Sequence, residues 1–378
     1  MAVADVIRPS ELDAAEVAAW LRLQSAEPQF GNPILGPHFA QAVGEVRKDA
    51  RVAVYRRAGE PVGFLAHHRR AGGFVRPIGA PFSDYQAFVA ASGLGLDACQ
   101  ALRMAGLDGL RLSHLVDPAD RFGRFVTTRQ WAHRIVVDGA SADYLDRLWR
   151  SSGNRRNNYR RYRRSLERAA GPIRVVGDDR DRASFEQLIA WKRRQLQRTG
   201  GYDFLAVPWA RALMLRLFET RSGDFQGQMI SLYAGERLAA AHFGVRQADW
   251  YHPWIAGFDP LLKEHSPGMV HQVEAIRAMT GLGLRIYDLG PGEDHWKQRF
   301  ARDGVWIGAG VAAAPTWAGA LARSAERLWD VPPLRNAPLI VRARNRYGQI
   351  AALEPTFAGR LRAAASTIPA RGRRDWAT

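Results

Sequence analysis

Three stretches decide the fold: Tyr251-His-Pro-Trp-Ile-Ala-Gly-Phe-Asp-Pro260, His265-Ser-Pro-Gly-Met269 and Tyr287-Asp-Leu-Gly-Pro-Gly-Glu293. In order they read as an apolar strand, the start of a helix, and a strand that stops on a carboxylate. Ser266 suits a helix N-cap and Pro267 the first helical position, and Met269, Val270, Val273, Ile276 and Met279 follow at roughly helical spacing. Gly268 has no side chain, so a ligand can approach the backbone N–H groups of the first turn, which favour a phosphate. An ordinary capped helix has the same pattern, so the neighbouring segments must decide.

Upstream, Gln228–Tyr233 and Arg237–Arg246 flank the turn Ala234-Gly-Glu236 and read as a hairpin, followed by a strand from Trp250 to Ile255. Hairpin, strand, Gly-containing helix, strand, helix is an order that resembles the Gcn5-related N-acetyltransferase (GNAT) superfamily. More closely, the chain is similar to the FemAB-like and CelD-like acyltransferases of bacterial envelope and exopolysaccharide synthesis. The residues carrying this are Tyr251–Trp254, Asp259-Pro260, Ser266-Pro-Gly268, Asp288-Leu-Gly290, and Trp296-Lys297 with Arg299-Phe300, within roughly residues 150–310. The coenzyme A loop of that superfamily usually has Gln or Arg first and a glycine in the middle, whereas here Lys263 and Ser266 stand at those positions.

The expected fold class is α/β, with tandem, duplicated GNAT-like domains whose mixed central sheets are flanked by helices. A length of 378 residues favours two domains. Arg51–Tyr55 and Pro61–Ala66 around Ala58-Gly-Glu60, then Phe74–Ile78, repeat the later hairpin and strand in outline. The divisions are 1–149, an Arg-rich connecting helix 150–170, an acyltransferase domain 171–315, and an amphipathic helix with a basic tail 316–378. The uncharged run Gly304–Ala322 approaches membrane-spanning length, but its glycines and Pro315 divide it into a strand, Val305–Ala313, and a helix, Thr316–Trp329. A single cysteine, Cys99, excludes an internal disulfide, and no Cys/His spacing suits a metal. The start lacks a basic segment followed by an apolar one, so a cytoplasmic location, peripheral on the inner membrane, is expected.

The chain carries a formal net charge of +17, so an anionic partner is expected. Arg150–Arg168 holds eight arginines against Glu167 alone. This is a solvated helix face, a linker or an anion site, and Arg155, Asn158 and Arg161 are assigned to a phosphate-bearing ligand because guanidinium forks suit phosphate. From Val331 on, nine arginines oppose Glu354 and Asp375, a composition that suits an anionic membrane surface or, equally, a nucleic acid or cyclic dinucleotide. Few aromatic residues interleave with the basic blocks, which argues against nucleic acid other than tRNA.

The resemblance implies an N-acyltransferase using acyl-CoA or acetyl-CoA, with Lys263, Ser266, Gly268 and Met269 at the donor. It also places Asp84 and Tyr85, within Ser83-Asp-Tyr-Gln86, near an acceptor cleft between the domains, with Lys297 beside the substrate. Asp288 or His252 is the candidate general base, and Tyr251 or Tyr287 could donate to the departing thiolate. The implied acceptor is an amine at the membrane, foremost an amino sugar of exopolysaccharide or holdfast-like adhesin synthesis. A long-chain amine yielding a ceramide-like lipid is an alternative. So are an aminoacyl-tRNA donor, as in FemAB relatives, and a second-messenger effector on an inactive scaffold.

Overall fold

The computed structural model describes residues 2–70, 73–150, 153–292, 295–328, 346–348, 350–354 and 357–365. Its strands are β1 (Ala2–Ile7), β2 (Ala50–Arg57), β3 (Glu60–His68), β4 (Phe74–Pro77), β5 (Gln86–Ala87), β6 (Val89–Ala90), β7 (Gly109–Val116), β8 (Val126–Val136), β9 (Ile173–Val176), β10 (Arg221–Ser222), β11 (Phe225–Ala234), β12 (Arg237–Gln247), β13 (Trp250–Phe258), β14 (Ile286–Pro291) and β15 (Asp303–Ala313). Its helices include α1 (Ala14–Ala26), α2 (Pro37–Val46), α3 (Ala98–Met104), α4 (Ser141–Arg150), α5 (Gly153–Ala170), α6 (Arg182–Arg198), α7 (Pro208–Glu219), α8 (Pro267–Ala278), α9 (His295–Phe300) and α10 (Trp317–Leu328).

Both hairpins form where the sequence puts them, β2–β3 turning at Ala58-Gly59 and β11–β12 at Gly235, and each turn uses positive φ. The strands nevertheless make one mixed sheet, in the order β1-β2-β3-β4-β7-β15-β8-β14-β13-β12-β11-β10. The division at 149/150 falls at the last residue of α4, while the sheet runs across it. β8 pairs antiparallel with β14, and β15 is inserted between β7 and β8. Non-local pairing of this kind leaves no local sequence signal, because strand periodicity reports burial and not the identity of the partner.

One detail of the sheet makes the site. β13 and β14 run parallel but pair only at Trp250–Ile286 and Tyr251–Tyr287, and beyond these the two strands part. Pro253, which has no N–H to give a ladder, sits there at a bulge opposite Gly244. A Cβ on Gly244 would fall 1.9 Å from the His252 carbonyl oxygen, so glycine is required for the bulge to close. On one face of the split lie α5 and α8, on the other α6 and the first half of the chain. The basic helix α5 is fastened to α8 through buried Tyr159, which donates to Glu274 and stacks on Trp149. It is therefore a packed wall with arginines on its outer face.

The helix expected over 266–280 begins at Pro267, but Ser266 is left-handed (φ 48°) and its side chain caps nothing. The expected helix over 316–329 is α10, with Trp317 and Leu321 strongly exposed. The basic tail behaves in two ways. Arg335, Arg342, Arg344, Arg371, Arg373 and Arg374 lie outside the described residues, whereas Ile350–Leu353 are buried in the body of the protein. Among the described residues no helix is long and apolar enough to cross a membrane.

Candidate active site

The gap between β13 and β14 opens into a cavity of about 1160 Å³. β13 contributes Pro253, Trp254, Ala256, Gly257 and Phe258, α5 contributes Asn158 and Tyr162, and α6 contributes Trp191, Lys192 and Gln195. Lys263, Ser266, Gly268, Met269 and Gln272 line it from the start of α8, Leu289 and Lys297 close one end, and Asp84 enters from the first half of the chain.

The α8 side presents open backbone and unpaired polar groups to the cavity. A Cβ on Gly268 would meet only Phe258 Cδ1, at 3.7 Å, so the first helical turn is open to a ligand. Met269 and Val270 N–H both donate to the Ser266 carbonyl, which leaves the Gly268 N–H and the uncapped Ser266 hydroxyl for an anion, with Lys263 beside them. Deeper in, Gln272 is buried with neither amide atom hydrogen-bonded, an arrangement that costs stability unless a ligand completes it. His242 lies on the same wall, its Nδ1 paired with the Tyr287 hydroxyl. Burial, and then the neighbouring His271 and Lys192, push its pKa well below the ordinary value, so it is neutral.

The opposite side centres on Asp288. Its carboxylate is fully buried and accepts from the Tyr85 hydroxyl at 2.6 Å, Gly290 N–H at 2.9 Å, Asn32 Nδ2 at 3.0 Å and Arg134 Nε at 3.2 Å. His252 stands between this group and Asp84, with Nδ1 3.7 Å from Asp288 and Nε2 donating to Asp84 at 3.2 Å. Burial works against a charge on His252, but the two carboxylates outweigh it and raise the imidazole to about 9. Burial would also raise Asp288, yet His252, Arg134 and Tyr85 hold it well below the usual carboxylate range. Asp288 is thus a saturated anion and His252 a buried cation at neutral pH.

The expectation of a general base at Asp288 or His252 does not fit this geometry. Neither lines the cavity and neither has a vacant basic site. The group that reaches the cavity from this chain of charges is Asp84, whose side chain is about one-third exposed. Gly290 explains why the strand reads Asp-Leu-Gly. Its φ is +71°, and a Cβ there would press within 3.3 Å of Asp84 Oδ2.

Tyr251 and Tyr287 also stand apart from the cavity. Their side chains point to the α8 face because strand neighbours alternate, and the Tyr251 hydroxyl donates to the His242 carbonyl at 2.9 Å. Burial pushes both phenols up. Tyr85 is likewise behind the cavity, as a donor to Asp288. Of the three α5 residues assigned to a ligand, only Asn158 lines the main cavity. Arg155 donates to the Arg299 carbonyl at 3.0 Å, and Arg161 faces an outer groove and stacks on Tyr162. No local signal singles out Asn32, Arg134, Lys192, His242 or Gln272, since each is an ordinary polar residue in its own stretch of sequence.

Residues 153–298 match the family model described as an acetyltransferase (GNAT) domain. Among solved structures, the crystal structure of FemX is 10% identical, with 81% of this chain and 96% of that chain covered and a TM-score of 0.51. A tandem GNAT protein from the clavulanic acid biosynthesis pathway is 11% identical over 84% of this chain and 99% of its own, with a TM-score of 0.46. The C-terminal domain of a protein described as a lysylphosphatidylglycerol synthetase of Agrobacterium fabrum is 10% identical over 84% and 97%, with a TM-score of 0.48. No curated protein matches the chain. Fold and family model together define an N-acyltransferase, of a class whose domains use acyl-CoA or acetyl-CoA. Residues 153–298 are thus similar to a GNAT acetyltransferase domain, and the fold of the chain is similar to that of FemX.

Proposed function

We propose that the protein transfers an acyl group from acyl-CoA to the amine of a small acceptor, foremost an amino sugar of exopolysaccharide or adhesin synthesis presented at the inner membrane. The observation that carries this reading is the placement of the Asp84 carboxylate on the cavity wall facing the open start of α8. A bound acyl-CoA supplies a thioester already activated for attack. The first turn of α8 and Lys263 hold the diphosphate, and the unpaired edge of β13 beyond Tyr251 offers backbone groups to orient the pantetheine arm and the carbonyl. Asp84 accepts a hydrogen bond from the acceptor's neutral amine and takes the proton that the nitrogen sheds as it bonds to the carbonyl carbon and the carbon–sulfur bond breaks, and the thiolate leaves as the free thiol after taking up a proton. His252 fixes Asp84, and Asp288 fixes His252. Lys297, buried at the same end of the cavity with Nζ donating to the Pro291 carbonyl, supplies positive charge for the leaving thiolate. Exposed Trp317 and Leu321 on α10 support docking at a membrane surface.

A second reading rests on α5. Its outer face forms a groove of about 790 Å³ lined by Asn157, Arg160, Arg161, Arg164, Glu167 and Arg168, which suits a polyphosphate or a tRNA-borne donor. The test combines acyl-CoA or aminoacyl-tRNA with a panel of amines, following thiol release and product mass. Amide formation from acyl-CoA with a free thiol released supports the main reading. Product from aminoacyl-tRNA alone moves the protein to the second, and absence of both CoA binding and transfer overturns the first.

A further inference from the structure

Beside the main cavity, and sharing Asp84, Lys192 and Trp254 with it, is a pocket of about 210 Å³. Phe82, Tyr202 and Phe204 make its other aromatic walls, and Leu353 closes its back. Leu353 comes from the part of the chain that reads as basic tail, yet residues 350–353 are among the best buried in the molecule. Both halves of the protein hold this segment. Arg76 donates to the Gly348 carbonyl at 3.4 Å and Arg70 to the Ala352 carbonyl at 3.2 Å, while Trp209 Nε1 donates to the Leu353 carbonyl at 3.2 Å. Asp49 orders these partners. It binds Arg70, and it binds Arg47, whose guanidinium lies 4.5 Å over the Trp209 ring. Such a set of contacts makes the segment a fixed wall.

We propose that Leu353, held in the segment 350–354, forms the back wall of the acceptor pocket, and that the pocket takes an amine carried on a single six-membered ring, with Leu353 setting the size limit. This rests on acyl transfer to an amine at Asp84. At 210 Å³ the pocket is smaller than the roughly 300–1,000 Å³ typical of sites for drug-sized ligands, so it admits one ring and excludes a long alkyl chain. Aromatic walls suit the apolar faces of a ring. At the mouth, the Asp84 carboxylate meets the amine and the Lys192 ammonium meets ring hydroxyls. The ring amine is thereby held where this pocket joins the larger cavity, which the donor fills.

The experiment uses the full chain with acetyl-CoA and three acceptors: glucosamine, its β-1,4-linked disaccharide, and a long-chain alkylamine. Leu353→Trp fills the pocket and is expected to lower kcat/KM for glucosamine at least tenfold, with the acetyl-CoA Kd by calorimetry within twofold of wild type. Leu353→Ala, and Phe204→Leu as a partner variant opening the opposite wall, are expected to raise the disaccharide-to-monosaccharide ratio of kcat/KM about tenfold. An unchanged ratio in every variant that binds acetyl-CoA normally overturns the assignment while leaving N-acyl transfer intact. Wild-type preference for the alkylamine overturns it as well. Failure of the wild type to bind acetyl-CoA or to acylate any of the amines removes the underlying reading instead.

Discussion

The two walls of the cavity are made in opposite ways. The α8 wall is local: β13, the turn at Asp259-Pro260 and the first turn of α8 follow one another within residues 250–272. The facing wall is assembled from afar. Asp288 is bonded by Asn32, Tyr85 and Arg134, which lie 256, 203 and 154 residues away, and it reaches the cavity only through His252 and Asp84. The local wall offers open backbone and unpaired polar atoms. The assembled wall is charge-dense, nearly dry and, among its described carboxylate contacts, saturated. A donor common to a whole superfamily can be held by a motif that folds within one segment, whereas an acceptor particular to one protein is met where the two halves come together.

The largest expected effect separates the exposed end of the charged chain from its buried end. Asp84→Asn should lower kcat by about 100- to 10,000-fold, as removal of a general base does, with acetyl-CoA affinity close to wild type and a lower thermal midpoint, because His252 loses one of its two carboxylates. Near-native turnover in Asp84→Asn would return the search for a base to neutral His242.

Asp288→Ala probes the buried end through stability. It leaves Arg134 without its counter-charge and the His252 imidazolium with Asp84 alone, and loss of one partner of a buried pair costs about 3–5 kcal/mol. The urea midpoint should fall accordingly, before any kinetic effect is considered. A midpoint unchanged from wild type would mean that Asp288 is not the electrostatic centre of the wall.

The same wall predicts a pH dependence. His252 has a folded-state pKa raised to about 9 from an ordinary 6.5, so its stabilising contribution is complete below about pH 6.5 and is lost as pH rises through 9. Its full size is on the order of 3 kcal/mol. Denaturation at pH 6.5, 8 and 9.5 should show this loss in the wild type, and His252→Gln should flatten it. A slope retained in full by His252→Gln would assign the titration to another group.

The smallest effect is expected on the local wall. Gly268→Asp introduces a side chain and a negative charge at the open first turn of α8, and should weaken acetyl-CoA binding about tenfold while stability changes little, because the site is sterically open. Unchanged donor affinity in calorimetry would detach the phosphate from this helix.

Much of the fold was legible because its signals are local. The turns at Gly59 and Gly235, the strand alternation around them, and Pro267 opening a helix are each fixed within a few residues. Of the site, Lys263, Ser266, Gly268, Met269, Asp84, Asn158 and Lys297 line the cavity. Roles were harder to read than positions. Asp288 in a strand followed by Gly looks like a base at a strand end, and nothing near it in sequence announces that Asn32, Tyr85 and Arg134 consume its lone pairs. Ser266 carries the residue type of a cap, yet the preceding turn forces it into the left-handed region.

What the sequence determined by itself was the order of elements, the open helix start and an excess of positive charge, since propensity, periodicity and net charge depend on neighbours or on composition alone. Only the tertiary structure decided that β15 lies between β7 and β8, that His252 is a buried cation, and that Leu353 walls a small pocket beside the main cavity. The physical reason is the same in each case. Strand partnership, the solvation of a charge and the burial of a leucine are set by groups that approach through space, and their energies do not exist until the two halves of the chain have met.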